Sequence, residues 1–260
     1  MGIVAIMSTA TTNARRWPAH LICRELAEGG SGVVCATVWP TRHLHSPMRW
    51  FDELYLWAED FVPTPAQWSR IQLMGLRRAL AMLAREESES LGVTLSYSTV
   101  EQFDEQIDDL LQAQRLVAHR LAVLLRGSID ERTGGSYYRL RAFADYLRAR
   151  QIPVGLRVTA PRLAMELKAC GLFAPEFVKI FAPGVVQGAT WDGLALEARF
   201  AGVSERWMIV AGLQTGEHLR QAVGAGIGFG QGPAVRPAHA PALRHAALAA
   251  AESDDLAPAS

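Results

Sequence analysis

Residues 177–232 constrain the fold more than any other stretch, because they alternate strand and helix without interruption. Phe177-Val178-Lys179-Ile180-Phe181 is a short apolar run broken by one lysine. A helical stretch leads to the apolar run 207–212, an amphipathic segment covers 215–225, and Gly226-Ile227-Gly228-Phe229-Gly230-Gln231-Gly232 closes the series. Continuous apolar strands separated by helices of this length suit a parallel sheet covered on both faces.

The same alternation extends backwards. Strands are expected at 93–98, 121–125 and 153–158, with helices at 99–114, 134–149 and 161–170. A helix over 64–87 carries Pro65 in its first turn and buries Ile71, Leu73, Leu76, Leu80 and Leu83 on one stripe. Closer to the start, 20–26 and 33–39 read as a hairpin around Glu28-Gly29-Gly30-Ser31-Gly32. Residues 48–62 place Trp50, Phe51, Leu54 and Trp57 at helical spacing and predict a helix. The fold class is therefore α/β: a (β/α)8 barrel with an N-terminal hairpin, the alternative being an open doubly wound sheet. The expected organisation is a loose leader over 1–17, a barrel over 18–237 and an Ala/Pro-rich tail over 238–260, with a last helix at 243–252.

Composition narrows the function classes. Lys plus Arg and Asp plus Glu each number 26 in 260 residues, so no net field favours nucleic acid or an anionic membrane. Half the residues are hydrophobic, enough for a large core, yet no apolar run is long enough to span a bilayer. The three cysteines, Cys23, Cys35 and Cys170, are scattered without a CxxC pair and read as buried thiols of a cytoplasmic protein. His43 and His45 lie in a loop with no third ligand beside them, and the glycines of 224–230 precede a strand end rather than open a helix. Neither a metal site nor a dinucleotide fingerprint follows.

The order of fragments resembles the EAL family, the cyclic di-GMP phosphodiesterases. Its KID, AEGVE and glycine-flanked QGY strands correspond to Lys179-Ile180-Phe181, Ala211-Gly212-Leu213-Gln214 and Gln231-Gly232-Pro233. On this alignment Val34-Cys35-Ala36-Thr37-Val38 falls where EAL lies, and Ser46-Pro47 resembles the SP before the first core helix. Ser96 stands for the asparagine of the VNLS strand, Leu124 and Gly127 for the carboxylates of ELTES, and Arg157 and Val158 for the aspartates of ALDDFG. Phe181 and Gly212 replace two further acids. Only Lys179 and Gln231 remain.

Two-metal phosphodiester hydrolysis needs carboxylates clustered at strand ends. The strand ends assigned here carry Arg126, Arg157 and Lys179 and no acid, whereas Glu101, Asp104, Glu105, Asp108 and Asp109 have the spacing of a solvated helical face. The resemblance then implies no catalytic residue, no metal, no cofactor and no enzyme, but a catalytically inactive signalling regulator. It would act through a protein partner in a cyclic di-GMP-related pathway of motility, attachment or virulence. Trp50, Phe51, Tyr55, Trp57 and Trp191 are the candidate partner surfaces, with core packing as the alternative. Family barrels pair through the segment that is Thr159-Ala160-Pro161-Arg162 here, so a homodimer is carried by resemblance alone. The competing reading is a metal-free cyclic di-GMP receptor, in which Lys179, Gln231, Arg157 and Arg126 hold the phosphates. A third, an enzyme of another class, would need two convergent titratable groups in the mouth. Lys179 also has a plain alternative as a strand-end lysine reaching water, and Gln231 as a cap on its own turn.

Overall fold

The computed structural model describes residues 15–18, 33–59, 61–126, 135–158, 175–183, 190–200 and 202–235. The strands are β1 (Arg15–Pro18), β2 (Val33–His43), β3 (Arg49–Ala58), β4 (Leu91–Ser96), β5 (Leu121–Arg126), β6 (Val154–Arg157), β7 (Phe177–Phe181), β8 (Met208–Ala211) and β9 (Phe229–Gln231). The helices are α1 (Pro65–Ala84), α2 (Tyr97–Ala113), α3 (Arg115–Ala118), α4 (Gly135–Arg148), α5 (Trp191–Phe200) and α6 (Gly216–Gly224), with a 3-10 turn at Glu205–Trp207.

Each strand from β2 onward bonds to the next in chain order, and β2 returns to β9, closing an eight-strand barrel. Strand β2 is antiparallel to both its barrel neighbours and the remaining contacts are parallel. The expected barrel with an entering hairpin is the observed fold. Closure leaves no free edge among the barrel strands. The strand expected at 20–26 and the helices expected at 161–170 and 243–252 lie outside the described residues. Arg15–Pro18, which straddles the expected boundary between leader and barrel, forms β1 on the outer edge of β2.

Residues 48–62 are the correction. They do not form a helix; Arg49–Ala58 is the first parallel strand of the barrel. Both faces of β3 are covered at Phe51, Asp52, Glu53 and Leu54, so the run shows no polar alternation that would betray a strand. Its aromatics satisfy helical spacing by coincidence while favouring a pleated surface. Strand β3 runs antiparallel to β2, in register from Val34↔Ala58 to Arg42↔Arg49, a second hairpin that the sequence reading did not anticipate.

Helix α1 begins at a complete capping box, with Thr64 accepting from the Gln67 amide and Gln67 reaching back. Its predicted stripe of Ile71, Leu73, Leu76, Leu80 and Leu83 is buried as expected. Helix α2 starts two residues before the expected 99, because Ser96 is its cap and accepts from the Thr99 amide.

The barrel's interior floor is a layer of rings beside glycines. Phe51, Phe177, Phe229, Ala122, Leu124 and Ile209 form one buried cluster with Trp50 against it. A Cβ at Gly155 would lie 2.2 Å from the Phe177 ring, and one at Gly92 2.5 Å from the Phe51 ring. The two glycines are thus the space that the two rings fill.

Candidate functional site in the barrel mouth

The layer above that floor is polar. Side chains alternate across a strand, so Phe51, Glu53 and Tyr55 point inward from β3, and Phe177, Lys179 and Phe181 from β7. Lys179 is 3% exposed and Glu53 1%, and the Lys179 ammonium forms an ion pair with Glu53 Oε2. Gln231, 2% exposed, donates from Nε2 to the same carboxylate oxygen at 3.0 Å and to Thr41 Oγ1 at 2.7 Å. Thr94 Oγ1 donates to Glu53 Oε1 at 3.4 Å. Lys179 is not a strand-end lysine reaching water, and Gln231 does not cap its own turn.

Arg157 stands beside Lys179 in the β6–β7 register. Its guanidinium lies 5.5 Å from the Tyr55 ring centre and 5.4 Å from that of Phe181, a separation at which both rings attract the cation. Arg126, exposed at the end of β5, pairs in register with Ser96 at the rim. Of the four candidates, Lys179, Gln231 and Arg157 converge around Glu53, whereas Arg126 sits on the rim.

The electrostatics follow from this crowding. Burial alone would raise the Glu53 carboxyl, but the Lys179 ammonium, the Arg157 guanidinium and the bonds from Lys179 and Gln231 hold it below the ordinary value. Burial pushes the Lys179 ammonium down and Arg157 adds to this, against the pull of Glu53. The arrangement presents an ionised carboxylate, a buried ammonium and a guanidinium at the C-terminal ends of parallel strands, where barrels of this architecture carry their chemistry.

Glu53 is the residue the sequence reading missed. The EAL triplet does not fall on Cys35, which lies buried on β2 with its thiol toward Glu59. Glu53 lies on β3, the strand before the first helix, and Thr64-Pro65, not Ser46-Pro47, stands directly before that helix. Glu53 is thus an acid in the mouth layer, contrary to the expectation that the strand ends carry none. The signal was present as Glu53-Leu54 followed by Thr64-Pro65, hidden by reading 48–62 as a helix.

A divalent cation requires several oxygen ligands. Among the described residues no three His, Cys, Asp or Glu side chains gather, and the Glu53 carboxylate already receives Lys179 and Gln231. The described donor set does not fit such an ion. His43 Nδ1 accepts from the His45 amide, and the His45 ring bonds to the Ile227 carbonyl.

Solved structures place the barrel among known ones. The EAL domain of Mycobacterium smegmatis DcpA matches with a TM-score of 0.60 at 12% identity, covering 86% of this chain and 100% of that one. The EAL domain of Xanthomonas citri FimX in complex with c-diGMP matches with a TM-score of 0.58 at 17% identity, over 80% of this chain and 88% of that one. Its fold is that of an EAL domain. The EAL-containing YkuI of Bacillus subtilis, solved with substrate c-di-GMP and calcium, matches with a TM-score of 0.60 at 14% identity, over 85% and 60% of the two chains. No protein-family model and no curated protein matches the sequence.

The expectation that the chain is not an enzyme does not stand. It rested on the absence of an acid, and Glu53 and Lys179 are two convergent titratable groups inside the mouth. The EAL fold is moreover shared with the PaMucR phosphodiesterase in its c-di-GMP complex, at a TM-score of 0.58 and 14% identity. Of the candidate partner surfaces, Phe51 is core, Trp50 packs into the floor, and Tyr55, Trp57 and Trp191 are half-buried. Among the described residues no helix is long and apolar enough to cross a membrane.

Proposed function

We propose that the chain is a cyclic di-GMP-binding protein whose site is the C-terminal mouth of the barrel. Lys179, Gln231 and Arg157 form its inner wall and Arg126 its rim. The observation that carries this reading is the convergence of Lys179, Gln231 and Arg157 on one buried carboxylate, Glu53. Burying the Lys179 ammonium and the Glu53 carboxylate, with the half-buried Arg157 guanidinium beside them, costs several kcal/mol of desolvation per buried ion. A fold that needed only packing would fill this layer with apolar side chains, as it does the floor below. The cations offer fork and point-charge donors suited to the phosphodiesters of a cyclic dinucleotide. Participation in cyclic di-GMP signalling, through a protein partner and as a homodimer, belongs to the same proposal and takes its support from the fold likeness.

The test is titration calorimetry of the whole chain with cyclic di-GMP in magnesium buffer, followed by chromatography of the nucleotide. Saturable heat at ~1 μM, or about −8 kcal/mol, is the expected result. The chromatogram shows whether a phosphodiester has been opened. A flat titration at ~1 mM nucleotide overturns the reading.

A further inference from the structure

We propose that Arg157 supplies the positive charge that meets a phosphodiester in the mouth, so that cyclic di-GMP binds without a divalent cation. This rests on the mouth being the cyclic di-GMP site. The observation behind it is a division of labour between neighbouring cations. Glu53 is satisfied by Lys179, Gln231 and Thr94, which together supply its ion pair and hydrogen bonds. Arg157 stands one strand over from Lys179, between the Tyr55 and Phe181 rings, and its Nε is buried without a hydrogen-bond partner among the described residues. A buried guanidinium N–H left unmade is costly, and an incoming phosphate oxygen is the acceptor that charge-assisted geometry favours. Among the described residues, the two basic side chains Lys179 and Arg157 stand in this inner layer against the single carboxylate of Glu53. The rings hold the cation without consuming its donors, since they interact through their faces.

The disagreement with a metal-dependent site is the same fact seen from the other side. An ion needs oxygen ligands, and among the described residues the one carboxylate in this layer is already bonded to Lys179 and Gln231. Arg157 also lowers both the Glu53 and Lys179 proton affinities, as a fixed cation at that position must.

The experiment titrates the whole chain with cyclic di-GMP in excess chelator and then in magnesium, for wild type, Arg157→Gln and Arg157→Lys. Unfolding midpoints confirm that each variant is folded. The expected result is a wild-type Kd that changes by less than about twofold between buffers. Arg157→Gln should weaken binding in chelator by about tenfold to a hundredfold, and Arg157→Lys by less. Binding by wild type only in magnesium overturns the role of Arg157 while leaving the mouth as the site. Wild-type affinity of Arg157→Gln in chelator overturns it equally. Absence of binding in both buffers overturns the mouth reading itself. The wild-type comparison decides without any variant should Arg157→Gln fail to fold.

Discussion

Two residues along the same strands separate an apolar layer from a charged one. On β3 the step is Phe51 to Glu53, and on β7 it is Phe177 to Lys179. On β9 it is Phe229 to Gln231 and on β6 Gly155 to Arg157. The floor is closed by volume, with rings lying where glycines leave room. The mouth layer is closed by charge, with three polar side chains bonded to one carboxylate. The alternation of a barrel strand lets one face hold both, so stability and chemistry occupy adjacent layers rather than separate domains. A substitution in the floor should cost packing alone, whereas one in the mouth should cost pairing and ligand together.

The largest effect is expected from Lys179→Ala, which strands the Glu53 carboxylate in a closed interior. Removing one partner of a buried pair typically costs ~3–5 kcal/mol, and denaturant unfolding should register a loss of that order. A loss under ~1 kcal/mol would mean that the pair is solvated and the contrast between layers overstated.

Gly155→Ala attacks the floor. Its new methyl would lie 2.2 Å from the Phe177 ring, and overpacking of this kind costs about 1–3 kcal/mol. Adding Phe177→Leu to Gly155→Ala should return part of that loss, a non-additivity that a double-mutant cycle reads directly.

Acid should separate the layers without any cavity. The Glu53 carboxyl is held below its ordinary value of 4.5, so it contributes stability that is present above that value and lost as pH falls through the depressed one. The stability difference between wild type and Glu53→Gln should therefore narrow as pH falls below 4.5. The difference between wild type and Gly155→Ala should stay level over the same range. Parallel curves for both variants would remove Glu53 as an acid-labile element.

The smallest effect lies outside both layers. Thr64→Ala removes the cap of α1 and should cost about 1 kcal/mol with no change in ligand affinity.

The sequence carried the barrel because its parallel strands are continuous apolar runs between helices, and that pattern needs no tertiary information. Lys179, Gln231, Arg157 and Arg126 came from the ordered EAL-like fragments, which assign each to a strand end, and of these the structure sets Arg126 apart on the rim. Glu53 escaped that assignment. In Arg49-Trp50-Phe51-Asp52-Glu53-Leu54-Tyr55 the acid sits beside Asp52, among aromatics that fit a helix as well as a strand. Asp52 is buried as well and paired with Arg49, so the sequence shows two adjacent acids of which only Glu53 receives Lys179. Which of the two faces inward is decided by pairing to β2 and β4, contacts between residues far apart in the chain. The Tyr55–Arg157–Phe181 grouping is likewise assembled from three strands and has no local signature.

The central claim is that the mouth layer binds ligand and the floor only supports it. The most direct measurement compares cyclic di-GMP affinity of Gln231→Ala and Phe177→Leu, each confirmed folded, with wild type. Gln231→Ala should bind about tenfold more weakly, since it loses the amide beside Glu53, while Phe177→Leu should bind like wild type despite its lower stability. Equal affinity of Gln231→Ala and wild type, or a matching loss in Phe177→Leu, would contradict the account.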